Sequence, residues 1–178
     1  MKILHIHQDF PDQRNYPFTL AVSNLLDASS KISRDAEHLV LSINRTSNPF
    51  KVSLLPFERG LSFVYFALPI TLIYLPVIWL YSKALSRRLK KEKISIIHAH
   101  TATTEALFAR YLSKTLNVPF VVTARGGSDL HNINRLPFEK NSFRKNFLQA
   151  KHAFWVCKWF QPQAEKMLSL SLNSKSSG

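Results

Sequence analysis

Short apolar runs recur along the chain at intervals that suit alternating strands and helices. Residues 2–7, 37–43, 94–98, 120–123 and 152–156 are rich in apolar and β-branched residues, and each run predicts a strand. The third run is apolar almost throughout, which is typical of a strand that is buried on both faces. Strands that are separated by helices and short links predict an α/β domain with a doubly wound parallel sheet.

Helical spacing of apolar residues appears between and after these runs. It predicts helices over residues 20–30, 103–116, 141–150 and 161–168. The hydroxyl of Thr103 can accept a hydrogen bond from a free amide of the first turn, so we expect this residue to cap the helix over residues 103–116. Residues 125–129, by contrast, predict a loop, because two adjacent glycines allow the backbone to turn tightly.

The stretches between these elements contain strong loop signals. Two prolines interrupt residues 10–17, which we expect to form a loop. The polar residues 44–49 predict a turn, and the apolar residues 52–55 that follow predict a short strand.

Residues 61–81 (LSFVYFALPITLIYLPVIWLY) form an unusual segment of 21 residues without a charge. This length is close to the roughly 20 residues that a membrane-spanning helix needs. However, Pro69 and Pro76 interrupt the segment, and its first six residues favour a strand. We therefore expect a strand or buried turn up to Pro69, followed by a helix over about residues 71–91.

A cluster of basic residues follows this apolar segment, and it includes Arg87, Arg88, Lys90 and Lys91. Three interpretations remain open for the predicted helix. It is a core helix with a solvated basic end, a helix that lies on a membrane surface through these four residues, or a membrane span.

The composition suits one globular domain in a reducing compartment. The chain has 178 residues, of which 46% are hydrophobic and 20% are charged. We expect the domain to cover residues 1–170 and the serine-rich residues 171–178 to form a disordered tail. The single cysteine, Cys157, excludes a disulfide framework, and we interpret it as a packed structural thiol. No secretory signal is visible at the N-terminus.

The net charge of +13 favours anionic partners. Phosphorylated substrates, an anionic membrane face and nucleic acid would all be attracted by such a charge, and the charge alone does not choose among them. Several common motifs are missing. The sequence has no Walker phosphate loop, no G-x-G-x-x-G after its first strand and no G-x-S-x-G elbow, which argues against dinucleotide binding and against acyl transfer through serine.

The five residues Arg125, Gly126, Gly127, Ser128 and Asp129 directly follow a predicted strand and form the sharpest candidate site. Two glycines allow the backbone to turn tightly and to approach a ligand. Arg125 can bind a phosphate or orient a sugar, and Asp129 can accept from hydroxyl groups. The alternative is an ordinary turn, with Asp129 capping the start of a helix.

Two H-x-H pairs end the first predicted strand and the strand at residues 94–98. In each pair, His5 with His7 and His98 with His100, the two side chains point the same way in an extended chain. With Asp129 they could bind a metal, and buried hydrogen-bonded or sugar-binding histidines are the alternatives. No known zinc spacing is matched, and we therefore expect no metal site.

Two segments carry a resemblance to a known family. The sequences IIHAHTATTEALFARYLSKTLNVPFVVTARGGSDL and AKHAFWVCKWFQPQAEKM resemble the N-terminal half of retaining GT-B glycosyltransferases of family 4. The family pattern is a strand that ends in H-x-H, a helix, (I/V)-P-x-V-x-T and then an H-G-x-D or R-G-x-D loop. The opening KILHIH fits the first strand. The match covers about residues 1–170 and is specific over residues 94–168.

The resemblance implies roles for the strand-end residues. Asp129 matches the motif aspartate and His100 the second histidine of H-x-H, whereas Arg125 stands where a histidine is frequent and one extra glycine is present. The catalytic residues implied are Arg125 and Asp129. The substrate-binding residues implied are His98, His100, Gly126, Gly127 and Ser128.

Enzymes of this family have two Rossmann-like domains, of which the first binds the acceptor and the second binds the nucleotide-sugar donor. The second domain also carries a paired-glutamate motif, which no residue after Leu170 supplies. The resemblance therefore implies an acceptor-binding domain without a cofactor of its own and with no turnover when alone.

The expected partners are a glycan or lipid-linked sugar acceptor, an anionic membrane surface at the inner face of the cell membrane and a donor domain on the same or on a separate chain. Nucleic acid is not expected. Two other interpretations remain open. The chain could be a non-catalytic partner module of a split glycosyltransferase, or a metal-dependent hydrolase that uses its histidines and Asp129.

Overall fold

A sheet of seven strands organises the part of the chain that the computed structural model describes, which is residues 1–14, 18–33, 35–68 and 71–170. The strands are β1 (Lys2–His7), β2 (Glu37–Thr46), β3 (Ser53–Phe57), β4 (Gly60–Phe66), β5 (Ile96–Ala99), β6 (Phe120–Ala124) and β7 (His152–Trp155). Their order across the sheet is β3-β4-β2-β1-β5-β6-β7. The edge strand β3 is antiparallel to β4, and the other pairs are parallel.

Six α-helices of the described residues cover the two faces of this sheet. They are α1 (Ala21–Ile32), α2 (Thr71–Leu89), α3 (Thr104–Leu116), α4 (Gly127–Arg135), α5 (Lys140–Gln149) and α6 (Phe160–Leu168). Successive residues of a strand point to opposite faces. Accordingly, Val40 packs with Val22 and Leu26 of α1, whereas Leu41 belongs to the larger core that α2 to α6 share. The predicted doubly wound, Rossmann-like α/β fold is confirmed.

The larger core is dense in aromatic side chains. Phe108 of α3 packs edge-on against Tyr65 and Phe63 of β4, with ring centroids 5.3 and 6.3 Å apart. The side chains of Tyr65 and Phe108 are almost completely removed from solvent. Burial of each such side chain contributes roughly 1.5–3 kcal/mol, so this packing anchors α3 on the sheet.

The strand order changes direction between β1 and β5. From β1 the chain proceeds to β2 on one side, and it later returns to place β5 on the other side. Ligands of open α/β sheets bind at the carboxyl ends of the strands next to such a switch point. The histidine pairs of β1 and β5 lie at this position, where His5 stands opposite His98 in the register.

The segment that precedes β5 forms a strand and then a helix, as predicted. Residues 60–66 form β4, and α2 contains Pro76 and packs Tyr74, Ile78 and Leu85 into the core. Its outer side leaves Trp79 49% exposed and Leu80 59% exposed. Among the described residues, none of the helices combines the length and the hydrophobicity that a membrane span requires.

Three details of the sequence analysis need correction. Residues 44–46 continue β2 instead of forming a turn, because Arg45 pairs with Tyr65 of β4. Thr103 occupies the position before α3 but makes no capping hydrogen bond. Helix α4 begins at Gly127, within the loop that was expected at residues 125–129.

Other details lie outside the described residues or differ only at their ends. Part of the predicted loop at residues 10–17, the break at Pro69 and the tail at residues 171–178 lie outside the described residues. The remaining predicted strands and helices are confirmed, with ends that differ by up to three residues.

Candidate functional site

The carboxylate of Asp129 joins the two loops that follow β5 and β6. Its Oδ1 accepts from the backbone N–H of Ala102 and its Oδ2 from that of Arg125, both at 2.8 Å. The hydroxyl of Thr103 lies 3.5 Å from Oδ1 and itself accepts from the Asn132 side-chain amide at 3.1 Å. Asp129 therefore determines how the strand-end loops sit relative to each other.

Burial dominates the protonation of Asp129. The side chain is completely removed from solvent. Burial raises the pKa of its carboxyl to about 7, although the hydrogen bonds from the Arg125 and Ala102 amides act in the opposite direction. Both carboxylate oxygens accept from backbone amides, so Asp129 fixes the positions of the two strand-end loops. Its catalytic role stays a prediction.

The two glycines after β6 have different roles. Gly126 has φ +101°, a left-handed conformation that favours glycine, and a Cβ at this position would lie 3.1 Å from the Trp159 ring. Gly127 already belongs to α4 and has open space around it. Gly127 and Ser128 are exposed at the first turn of α4, and Arg125 beside them is half-buried. These predicted ligand-binding residues thus surround the N-terminal end of α4.

Four histidines lie in contact at the switch point between β1 and β5, and they are His5, His38, His98 and His100. His5 Nδ1 lies 3.0 Å from His100 Nε2, and His5 Nε2 lies 2.9 Å from His38 Nδ1. His98 Nε2 lies 2.7 Å from the hydroxyl of Thr123. Burial lowers the pKa of His5 to about 3 and that of His98 to about 4, and it lowers the pKa of His100 well below its ordinary value. These imidazoles are consequently neutral at pH 7.

The second histidine of the first pair, His7, has a separate partner. Its Nδ1 lies 3.1 Å from Oε1 of Glu105, which also accepts from the backbone N–H of Gln8 at 2.8 Å. Both side chains are buried. Asp129 is not among the ligand atoms that the described residues bring together around His5. The metal-binding set of two H-x-H pairs with Asp129 is therefore not assembled. This argues against the interpretation of the chain as a metal-dependent hydrolase that uses these residues.

Glu105 is a site residue that the sequence analysis missed. A carboxylate within a run of apolar helix residues is a weak signal, because most such residues face solvent. Here the first turn of α3 directs Glu105 towards the end of β1. A carboxylate that holds a histidine in this manner fixes the orientation and the tautomer of the imidazole.

A small cavity of about 80 Å³ lies at the carboxyl edge of the sheet. We call it the arginine pocket, and it is lined by Gln8, Arg45, Tyr65, Tyr74, Thr104, Asn132, Arg135 and Leu136. The hydroxyl groups of Tyr74 and Thr104 lie 2.7 Å apart. Burial raises the pKa of the Tyr74 phenol, so the ring remains a neutral hydrogen-bonding group. Two guanidinium groups beside amides and hydroxyls suit an anionic ligand.

No sequence signal identifies the arginine pocket, since its residues come from separate elements. Arg45 belongs to β2, Tyr74 to α2 and Arg135 to α4. Only the packing of these elements brings the side chains together.

A second cavity of about 340 Å³ lies on the α1 side of the sheet and is mostly apolar. We call it the apolar cavity, and its lining consists of Met1, Ile3, His5, Leu25, Leu26, Ser29, His38, Ile96, His98, Val121 and Phe154. His98, which we expected to bind substrate, lines this cavity on the face of the sheet. His100 is 1% exposed and does not line this cavity.

The basic residues that we expected to bind a membrane lie at the far end of the molecule from the arginine pocket. Arg87, Arg88, Lys90 and Lys91 are all exposed. Arg87 and Arg88 end α2, and Lys90 and Lys91 belong to the turn that follows it. This turn is tied to the start of β1, where Lys2 Nζ contacts Glu92 at 3.2 Å. The basic cluster therefore lies at the amino edge of the sheet.

Comparison with known proteins gives one family and one fold. A family model described as "Glycosyl transferase 4-like" matches residues 53–156. Among proteins with curated function, no sequence matches.

Solved structures of similar fold include the following three. The first, described as trehalose-6-phosphate from E. coli bound with UDP-2-fluoro glucose, has 12% identity and a TM-score of 0.55, with 95% of this chain and 43% of that chain covered. The OtsA apo structure has 11% identity and a TM-score of 0.56, with 94% of this chain and 43% of that chain covered. An alpha,alpha-trehalose-phosphate synthase (UDP-forming) from Burkholderia vietnamiensis has 10% identity and a TM-score of 0.50, with 95% of this chain and 42% of that chain covered. The chain thus spans less than half the length of these GT-B proteins. At 10–12% identity, the similarity to them is one of fold alone.

Proposed function

Because the chain belongs to the glycosyl transferase 4-like family, we propose that it forms the acceptor-binding domain of a retaining glycosyltransferase. The donor is a nucleotide sugar, and the acceptor is a glycan or a lipid-linked sugar. The presence of UDP-2-fluoro glucose in a structure of similar fold supports this class of donor.

The arginine pocket is the observation that supports acceptor binding. It lies at the carboxyl edge of the sheet, where α/β proteins of this kind bind ligands. The guanidinium groups of Arg45 and Arg135 offer paired donors that match a phosphate or carboxylate. A cavity of about 80 Å³ has room for the anionic group alone, so the attached sugar would lie outside it. We therefore propose an anionic sugar, or a sugar attached to a phosphate, as the acceptor.

The loop after β6 contributes the second part of the proposed site. Arg125 is half-buried next to the exposed Gly127 and Ser128 at the start of α4. The amides of a first helical turn lack partners within the helix and attract negative charge. We propose that Arg125 interacts with the reacting groups, while Asp129 positions its loop through the two backbone hydrogen bonds.

Catalysis needs a second wall that carries the donor. Transfer depends on holding donor and acceptor in contact within one cleft. Residues 1–178 span about 43% of the similar structure with UDP-2-fluoro glucose. We propose that a donor domain, on the same or on a separate chain, completes the cleft and that residues 1–178 alone do not turn over.

The outer side of α2 supports a peripheral position at the inner face of the cell membrane. Trp79 and Leu80 are exposed near its middle, and the exposed Arg87 and Arg88 follow near its end. The ammonium of Lys83 lies 5.3 Å from the Trp79 ring centroid. Aromatic and basic side chains along one side of a helix are typical of helices that lie on anionic membranes.

Calorimetric titration with glucose 6-phosphate, glucose and inorganic phosphate tests the acceptor proposal. We expect glucose 6-phosphate to bind and glucose to bind much more weakly. Arg45→Gln and Arg135→Gln each remove a charge-assisted hydrogen bond, which is worth about 1.5–3 kcal/mol, so the dissociation constant should rise roughly tenfold to a hundredfold. Lys114→Gln, an exposed charge on α3, is the control. Equal affinities for the three variants would contradict the proposal.

A further inference from the structure

We propose that His5, His98 and His100 bind one Zn²⁺ ion at the switch point between β1 and β5. One ligand nitrogen of each side chain lies within 4.8 Å of the other two. The register of the sheet produces this cluster, because it sets His5 directly opposite His98. Three histidines with an open fourth position form a well-known zinc-binding set. This inference does not rest on the proposed transferase function.

The distances suit a single ion. Zinc–nitrogen bonds of 2.0–2.1 Å place two ligand atoms of a tetrahedral site about 3.3 Å apart. The observed separation of His5 Nδ1 and His100 Nε2 is 3.0 Å. The His5 ring centroid lies 5.3 Å from that of His100 and 5.5 Å from that of His98. The His98 and His100 rings are 4.1 Å apart and would separate slightly around the ion.

The outer hydrogen bonds assign a ligand atom to two of the histidines. A histidine that binds a metal through one nitrogen usually donates its other N–H to a nearby acceptor. His98 Nε2 can donate to the Thr123 hydroxyl at 2.7 Å, which leaves Nδ1 for the ion. His5 Nε2 can donate to His38 Nδ1 at 2.9 Å, which likewise leaves Nδ1. Both contacts are compatible with the tautomer that zinc binding requires.

The apolar cavity provides the route to the site. Both His5 and His98 line it, and His98 is only partly buried. A water molecule from this cavity can supply the fourth ligand. Asp129 and His7 do not take part, because the first is bound to backbone amides and the second to Glu105. Bound zinc would link β1 to β5 across the centre of the sheet.

The charge of Arg125 opposes the binding of a cation. Its guanidinium acts electrostatically on His98 and on His100. Arg125→Gln should therefore tighten zinc binding at this site. A zinc ion that is bound only by other groups on the protein surface would not respond to the substitution.

The test measures metal binding by the full chain without any sugar. After treatment with a chelator, the protein is titrated with Zn²⁺ by calorimetry and with Co²⁺ by visible absorption. We expect one ion per chain and the strong visible band of four-coordinate Co²⁺. His98→Gln removes a ligand and should abolish the band. Thr123→Val keeps the shape but removes the acceptor for His98, and loss of such an outer partner lowers metal affinity roughly 10- to 100-fold.

His131→Gln is the matched control, since His131 is exposed on α4 and lies outside the cluster. It should bind zinc like the wild type. Thermal unfolding shows whether each variant is folded. If His98→Gln does not fold, the zinc affinity of Thr123→Val tests the inference. The inference is overturned if the folded wild type binds no zinc, or if Thr123→Val and His98→Gln bind it as His131→Gln does. Either result would leave the cluster as a neutral hydrogen-bonded network, and neither bears on acceptor binding.

Discussion

His7 and Glu105 are 98 positions apart in the sequence, yet His7 Nδ1 lies 3.1 Å from Glu105 Oε1 in the buried interior. The contact joins the end of β1 to the first turn of α3. Within the described residues, the second atoms of both groups, His7 Nε2 and Glu105 Oε2, have no hydrogen-bond partner in the protein. The pair therefore links β1 to α3 beside the switch point, and one polar atom of each side chain remains without a partner among the described residues.

Glu105→Leu should destabilise the protein by about 2–5 kcal/mol, because it leaves the Gln8 amide and the His7 ring without their buried acceptor. Glu105→Gln retains one oxygen as an acceptor and should cost less. Urea unfolding followed by circular dichroism measures both. Glu58→Gln, at an exposed position, serves as the control. A Glu105→Leu variant as stable as this control would show that the contact contributes nothing.

The stability of the protein should depend on pH through Asp129. Burial raises the pKa of this carboxyl in the folded state to about 7 from an ordinary value of 3.8. Between these two values the folded state binds more protons than the unfolded state, so stability should fall as the pH rises from about 4 to about 7. The upper limit of this loss is roughly 4 kcal/mol.

Urea unfolding of the wild type and of Asp129→Asn across this pH range isolates the effect. The asparagine variant cannot titrate, and its lost acceptor gives a difference that does not vary with pH. The free energy of unfolding of the wild type, relative to this variant, should therefore decline towards neutral pH. A difference that is constant with pH would rule out the raised pKa.

The two adjacent glycines should respond differently to alanine. Gly126→Ala introduces a Cβ at φ +101° and within 3.1 Å of Trp159, which should destabilise the protein by about 1–3 kcal/mol. Gly127→Ala lies in open space within α4 and should be neutral or should stabilise by up to about 1 kcal/mol. Thermal unfolding of the pair provides the comparison. Equal effects of the two substitutions would contradict the conformational argument.

Membrane docking should depend on the basic end of α2. Replacing Arg87, Arg88, Lys90 and Lys91 with glutamine should weaken binding to anionic vesicles by up to about 4 kcal/mol, at about 1 kcal/mol for each charge near the surface. Vesicle co-sedimentation at low salt measures the change.

The control for this experiment removes the same charge elsewhere. It replaces four exposed lysines, which are Lys114, Lys145, Lys151 and Lys166. If both quadruple variants lose binding equally, net charge alone attracts the protein to vesicles, and the docking role of α2 is wrong.

Local periodicity was sufficient to predict most of the secondary structure. Apolar runs indicated the central strands, and helical spacing indicated α3, α5 and α6. The pattern failed at α4, because two glycines precede a polar stretch whose only fully buried apolar residue is Ile133. Tertiary contacts of Ile133 and Asp129 stabilise this helix, and no local pattern reports them.

The central strands, their polar ends and the family could be predicted from the sequence, because these depend on short-range patterns and on motifs such as H-x-H. The contacts between polar groups follow from tertiary packing. The switch between β1 and β5 set His5 opposite His98, and the first turn of α3 brought Glu105 to His7. Packing also gave Asp129 two backbone donors and assembled the arginine pocket. Such contacts depend on the register of distant segments, which side-chain periodicity along one segment does not specify.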